Sequence, residues 1–238
     1  MAYTQGKIAV ITGAGSGIGR ALALQLNREG CELFLSDINT DALNETIAML
    51  PRKDVPVDGQ LLDVASKEGM HAWAERIGNS KGHVDIVINN AGVALMAMVE
   101  DSNYTDLEWL MGINFWGVVY GHLVNLSSVF GLIGVPTQAA YNAAKFAVRG
   151  YTEALRQEMA GTNVHVCCVH PGGIKTNIAR LARGGDSALT PEERGREFEK
   201  LAKTTPEVAA QKIISAIEKR KKRLLIGLDA VVISLISR

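Results

Sequence analysis

Thr12-Gly13-Ala14-Gly15-Ser16-Gly17-Ile18-Gly19 follows an apolar run at residues 7–12 and leads into a segment of helical periodicity at 17–29. Glycines at a strand-to-helix turn permit a sharp reversal and a close backbone approach. They leave amide N–H groups and the positive end of the helix dipole facing a phosphate. The spacing reads T-G-x-x-x-G-x-G, with Gly13, Gly17 and Gly19 as the fixed points and Ser16 and Ile18 between them. It is not G-x-G-x-x-G, because Ile18 stands sixth counting from Gly13, and no Gly-Lys-Ser/Thr follows as in nucleotide hydrolases. Taken alone, such a turn could be a tight connection and nothing more.

The rest of the chain repeats the same alternation. Apolar runs at 7–12, 32–37, 57–62, 84–89, 122–127, 164–169 and 223–226 read as strands. Helical periodicity fills 17–29, 41–50, 66–77, 106–120, 138–159 and 206–220. Near-continuous apolar strands alternating with helices imply an α/β fold, a doubly wound parallel sheet of about seven strands covered on both faces. No internal repeat or linker breaks the pattern, so residues 1–238 read as one domain. Residues 177–190 are the least regular, and 177–203 read as a segment covering a site. At the end of the second strand, Asp37 is placed to accept both hydroxyls of an adenosine ribose and to repel a 2′-phosphate. No Arg or Lys follows closely, which favours NAD over NADP. Asp37 could also cap the next helix, and the two roles do not exclude each other.

A second constellation lies in the other half. Tyr141-Asn142-Ala143-Ala144-Lys145 puts a phenol and an ammonium four residues apart, on one face of a helix, and Ser128 stands thirteen residues earlier. A neighbouring positive charge favours the phenolate, so the expectation is a tyrosine able to exchange a proton near neutrality.

Together these motifs resemble the short-chain dehydrogenase/reductase family, in its compact single-domain branch, from about residue 7 to 227. Asn89-Asn90-Ala91-Gly92 after the fourth strand, Asp63-Val64 after the third and Pro171-Gly172-Gly173-Ile174-Lys175-Thr176 after the sixth belong to the same pattern. The resemblance implies an NAD(P)-dependent oxidoreductase that interconverts a secondary alcohol and a ketone. Tyr141 would be the general acid/base, Lys145 would lower its pKa and hold the nicotinamide ribose, and Ser128 would orient the substrate oxygen. Asn114 would position a water linking the lysine to solvent. Asp63 and Val64 would meet the adenine, Asn90, Ala91 and Gly92 the cofactor's middle, and Pro171, Gly172, Ile174 and Thr176 the nicotinamide side. A homodimer or homotetramer is implied as well. The competing reading, a nicotinamide-cofactor-binding sensor or scaffold without turnover, has no need of the set Asn114, Ser128, Tyr141 and Lys145.

The pattern departs from the family in one place, the interval from Asn114 to Ser128, which is shorter by roughly a dozen residues. Either the helix is truncated or residues of the natural chain are missing between Gly121 and His122. The abrupt return at Gly121 favours omission, which predicts a wide Cα–Cα separation there. The apolar stretch that stops at Arg238 is consistent with further lost residues.

Bulk properties narrow the partners. Lys plus Arg and Asp plus Glu number 25 each, so no overall field draws nucleic acid or an anionic membrane. The run Lys219-Arg220-Lys221-Lys222-Arg223 reads as a solvated helix end. No export signal or membrane-length apolar run is evident. Cys31, Cys167 and Cys168 lack disulfide spacing, and a reducing, cytoplasmic compartment is expected. His165, Cys167, Cys168 and His170 suggest a metal set at first sight. Alternation along a strand divides them between two faces, so no metal site is expected. Trp109 and Trp116, seven apart, read as one packing face. The expected substrate walls, residues 93–99, 129–137 and 177–183, offer Leu95, Met96, Met98, Phe130, Leu132, Val135, Pro136, Ile178 and Leu181. They suit an apolar alcohol or carbonyl better than a strongly anionic substrate, although Arg180 and Arg183 could reach inward if the cover folds over.

Overall fold

The computed structural model describes residues 2–121, 124–184 and 189–237. Elements follow in the order β1 (Ile8–Thr12), α1 (Gly17–Arg28), β2 (Glu32–Asp37), α2 (Thr40–Met49), β3 (Val57–Leu61), α3 (Lys67–Lys81), β4 (Ile86–Asn89), β5 (Leu95–Met96) and α4 (Tyr104–Met111). A π-helical turn (Gly112–Trp116) joins α4 to α5 (Gly117–Val119), and β6 (Val124–Leu126) leads into a 3₁₀ turn (Val129–Gly131). The chain then forms α6 (Ala139–Glu158), β7 (Cys167–Pro171), β8 (Arg183–Gly184), α7 (Pro191–Leu201), α8 (Pro206–Glu218), β9 (Arg223–Ile226) and α9 (Leu228–Ile236).

Seven strands form one parallel sheet in the order β3-β2-β1-β4-β6-β7-β9. Alternation along each strand feeds two separate layers. Ala9, Ile11, Leu33 and Leu35 face α1, α2 and α8 in the larger cluster, with Leu22, Leu26 and Ile213 fully buried. Ile8, Val10 and Phe34 face α3, where Met70, Trp73 and Ile77 close the opposite layer. The chain runs outward from β1 to β3 and then crosses back to β4. This reversal opens a crevice at the carboxyl ends of β1 and β4, the usual ligand position in such sheets. No helix among the described residues is long and apolar enough to cross a membrane.

Several boundaries differ from the sequence expectation for identifiable reasons. Pairing of β7 begins only at Cys167, opposite Val124, and runs on to Pro171 because β9 supplies a partner there. The helix α3 continues to Lys81, where Gly82 stops it in a left-handed conformation at φ 74°. The described residues of 177–203 include regular elements beyond the expectation: β8 pairs in parallel with β5, and α7 follows a capping box formed by Thr190 and Glu193. The Gly121–His122 junction falls outside the described residues, as does Arg238. The π turn adds a residue to the helix expected over 106–120 and rotates the helical turn after it. Trp109 therefore stays on the site side, beneath Arg183, while Trp116 is about half exposed and stacks on Tyr120.

Candidate active site

The glycine turn is built by excluding side chains. A Cβ at Gly19 would fall on the Gly13 carbonyl oxygen and 2.6 Å from Asn90 Nδ2, and one at Gly13 would come 2.8 Å from Ala91 Cα. Thr12 and Asn90 lock the turn to the end of β4. The Thr12 hydroxyl accepts from the Asn90 and Ala91 amides, both at 3.1 Å, while Asn90 Nδ2 donates to the carbonyls of Thr12 and Gly13 at 3.0 Å. The Asn90 amide group is thus a brace for the turn. Side chains cap α2, α3, α4, α7 and α8, but Ser16 makes no side-chain cap to α1. The N-terminal amides of α1 therefore have no side-chain partner from Ser16, an arrangement able to receive an anion. Gly17, at φ 53°, lies against the Thr176 methyl and brings the loop after β7 to the same cradle.

Asp37 flanks the turn at the end of β2. Its Oδ2 accepts from the Gly15 amide at 2.8 Å and its Oδ1 from Asn39 at 2.9 Å, fixing the carboxylate beside the turn. Asp63 is exposed at the end of β3, where Oδ1 accepts from the Ala65 amide at 2.9 Å, and Val64 is buried against Gly117.

On the other side of the crevice, α6 carries Tyr141 and Lys145, both almost fully buried. The Tyr141 hydroxyl lies beside that of Ser128, close enough for the serine to favour its anion. Lys145 Nζ lies 5.5 Å from the centroid of the Tyr141 ring and donates to the Leu126 carbonyl at 3.0 Å. Asn114 sits in the π turn with its amide engaged twice, accepting from the Val93 amide and donating to the Val93 carbonyl, both at 2.8 Å. A Cβ built on Gly92 would lie 3.2 Å from Asn114 Oδ1 and 3.6 Å from Lys145 Nζ, so Gly92 gives these two groups room. Ser128, Tyr141, Lys145, Asn114 and Gly92 therefore meet in one place.

The protonation balance differs from the sequence expectation. Burial pushes Tyr141 up to about 12, the Ser128 hydrogen bond opposing it. Burial also brings Lys145 down from 10.5 to about 8. The lysine faces the phenol ring and a backbone carbonyl, and desolvation governs both groups, opposed at Lys145 by Cys168.

Several contributors carried no sequence signal strong enough to select them. Asn142 Nδ2 donates to the carbonyls of Phe130 and Ile133 at 2.8 Å and its Oδ1 accepts from Val135 at 3.0 Å, folding the loop 129–135 onto α6. A His170 Nδ1–H would reach the Ser128 carbonyl at 3.1 Å from β7, and burial holds that imidazole neutral, near pKa 4. Ser127 Oγ donates to the Lys145 carbonyl at 2.8 Å. A left-handed Thr137, at φ 64°, accepts from the Ala97 amide and joins two of the proposed walls.

Leu95, Phe130 and Ile178 do line the Tyr141 cluster, joined by Leu107, Trp109 and Leu110 of α4. Met98 and Leu181 are instead exposed. The two arginines of residues 177–183 differ: Arg180 has its Nε buried without a hydrogen-bond partner among the described residues, whereas Arg183 is about half exposed. Arg183 stacks 3.7 Å from the Trp109 ring centroid and pairs with Asp106 at 3.0 Å. Arg180 packs on α7, where a Cβ at Gly195 would come 3.0 Å from its Nε.

Comparison with known proteins agrees with this geometry. A family model described as short chain dehydrogenase matches residues 7–185. The putative oxidoreductase SadH of Mycobacterium tuberculosis is 45% identical, over 100% of this chain and 92% of its own. Dehydrogenase/reductase SDR family member 7B of Xenopus tropicalis is 32% identical over 95% of this chain and 79% of its own. Among solved structures, a short chain dehydrogenase/reductase from Burkholderia phymatum in complex with NAD superposes with a TM-score of 0.87. It is 30% identical over 99% of this chain and 94% of that one. Levodione reductase, at 23% identity and TM-score 0.84, shares the fold.

Proposed function

The chain belongs to the short chain dehydrogenase family and is an oxidoreductase, and from this premise we propose that it interconverts an apolar secondary alcohol and its ketone with NAD as cofactor. The observation carrying this reading is the convergence of Tyr141, Lys145 and Asn114 at one place, with Ser128 beside the phenol.

The cofactor's residues are those of the cradle: residues 13–19 for the diphosphate, Asp37 for the adenosine ribose, and Ile174 and Thr176 for the carboxamide. When bound, the nicotinamide supplies the hydride donor or acceptor, and in its oxidised form a positive charge. The protein handles the proton. In reduction, neutral Tyr141 gives its hydroxyl proton to the substrate oxygen; in oxidation, the phenolate takes the alcohol proton back. Ser128 stands beside that phenol and would hold the substrate oxygen in line. Its own position is set by the Phe130 amide, which donates to Ser128 Oγ at 3.2 Å, and by the Gly131 amide on its carbonyl. A tyrosine near 12 is an acid held in its protonated form, which suits the reductive direction at neutral pH.

Preference for NAD is supported by the occupied state of the nearest cation. Arg20 donates to the Gly15 carbonyl at 2.6 Å, to Thr46 at 3.0 Å and to Glu45 at 2.5 Å, so it is not free for a 2′-phosphate, while Asp37 repels one. Arg183, taken up by Trp109 and Asp106, is not left to pair an anionic substrate, which supports a neutral one. A panel of ketones followed by nicotinamide absorbance tests the reading. NADH should be favoured over NADPH by at least about tenfold, consistent with one uncompensated charge contact. Tyr141→Phe should lower kcat by about 10²- to 10⁴-fold and leave NADH affinity within twofold. Turnover confined to dicarboxylates, or a Tyr141→Phe enzyme of unchanged rate, defeats it.

A further inference from the structure

The loop after β7 is held from behind by backbone groups and by one side chain of the last helix. The Gly172 amide donates to the Ile226 carbonyl at 2.8 Å. The Thr204 amide donates to the Gly173 carbonyl at 3.4 Å, and the Lys175 amide to the Thr204 carbonyl at 2.9 Å. The last two make a parallel bridge between Ile174 and Thr204. In such a bridge the central residue uses neither of its own groups, so the N–H and C=O of Ile174 point away from Thr204. One donor and one acceptor on a single edge complement a primary carboxamide.

The Gly173 amide, immediately before that edge, is taken by a side chain. It donates to Asp229 Oδ2 at 2.7 Å, while Asp229 Oδ1 accepts from the Ala230 amide at 2.9 Å. Two glycines make room for this carboxylate. A Cβ at Gly172 or at Gly227 would overlap its oxygens, and Gly227, at φ 101°, turns the chain out of β9 so that the first turn of α9 lies over the loop.

We propose that Asp229 is a positioning residue for the nicotinamide half of the cofactor site, its carboxylate pinning the Gly173 amide and so presenting the free edge of Ile174. The proposal rests on the nicotinamide reading above and deepens it. Without the carboxylate the loop samples other arrangements, and apparent affinity falls by the fraction of time the edge is correctly placed. The bland role, stabilising the N-terminus of α9 through its dipole, touches no part of the cofactor.

Titration of the full chain with NADH and, separately, with ADP-ribose distinguishes the two roles, because ADP-ribose lacks the nicotinamide. Asp229→Ala should weaken NADH about ten- to a hundredfold, the worth of one charge-assisted backbone hydrogen bond, and leave ADP-ribose unchanged. Asp229→Asn keeps an acceptor without the charge and should fall between. It also serves as the folded control if the alanine variant melts early. NADH affinity unchanged in both variants, or NADH and ADP-ribose weakening in step, overturns the proposal. A wild-type chain that binds neither compound overturns the cofactor reading and this proposal with it.

Discussion

Around residues 13–19 the site is made by leaving side chains out, whereas around Lys145 it is made by burying them. At Gly13 and Gly19 the walls are backbone: Gly13 against Ala91 and Gly19 against the Gly13 carbonyl. At the catalytic end the walls are buried amides and hydroxyls. Asn89 donates to Asn125 at 2.7 Å, Asn125 to Thr152 at 3.0 Å and Ser127 to the Lys145 carbonyl, with Asn114 tied to Val93. Backbone walls tolerate no added atom, because the atoms they would have to displace are main chain. Buried polar walls tolerate no missing partner, except where the group removed is itself costly to bury. The two ends should therefore fail in opposite ways.

The largest effect is expected at the turn. Gly19→Ala places a methyl on the Gly13 carbonyl oxygen, and neither β1 nor α1 can retreat without disturbing a fully buried strand. A loss of about 3 kcal/mol is expected, at the upper end for overpacking. Urea denaturation should report it, with NADH affinity lost in the same variant. Near-native stability would mean that the turn yields, and the contrast between the two ends would disappear.

At the catalytic end the expected sign is reversed. Lys145 carries a folded-state pKa of about 8 against an ordinary 10.5, because burial penalises its charge. Below about pH 8 both folded and unfolded chains hold the proton, and the full cost of the buried charge weighs on the fold. Between about 8 and 10.5 the folded chain sheds its proton first, the unfolded state binds more protons, and stability rises with pH. Lys145→Met removes the charge at the expense of the hydrogen bond to Leu126. It should stabilise the protein by about 2 kcal/mol at pH 7, raising Tm by about 5 °C. That gain should shrink toward zero by about pH 10, while turnover is lost throughout. Thermal melts of both proteins across this pH range check it. A variant less stable than wild type at pH 7 would show that Lys145 is repaid by its surroundings.

The same contrast explains what the sequence could disclose. Strand runs, the glycine turn, Asp37 and the Tyr141–Lys145 spacing are local patterns, and each element they implied is present. Gly112-Ile113-Asn114-Phe115-Trp116 reads as ordinary helix, and only the two bonds from Asn114 to Val93 reveal why it widens into a π turn. The pKa of Tyr141 departs from expectation because spacing supplies a neighbour but says nothing of burial. Asp229 and His170 act across long stretches of sequence, on Gly173 and on the Ser128 carbonyl, where no periodicity points. For α7 a signal did exist, since Thr190-Pro191-Glu192-Glu193 is a capping box with proline at the first helical position.

The smallest effect should come from the cover, which belongs to neither end. Arg183 holds it down by stacking on Trp109 and pairing with Asp106, while Arg194 donates to the Gly184 carbonyl at 2.7 Å. The Arg183–Asp106 pair is partly exposed, with side-chain exposures of 48% and 26%, so water screens it. Stacking and pairing together are worth about 1 kcal/mol. Arg183→Ala should therefore shift Tm by no more than about 3 °C. Because β8 lies on β5, and Leu95 of β5 packs in the Tyr141 cluster, the loosened cover should act on substrate capture. KM for an apolar ketone should rise about threefold with kcat within twofold, the pattern of lost uniform binding. A fall in kcat of tenfold or more would place Arg183 among the groups that serve the chemistry, and the cover would then have to be counted with the catalytic end.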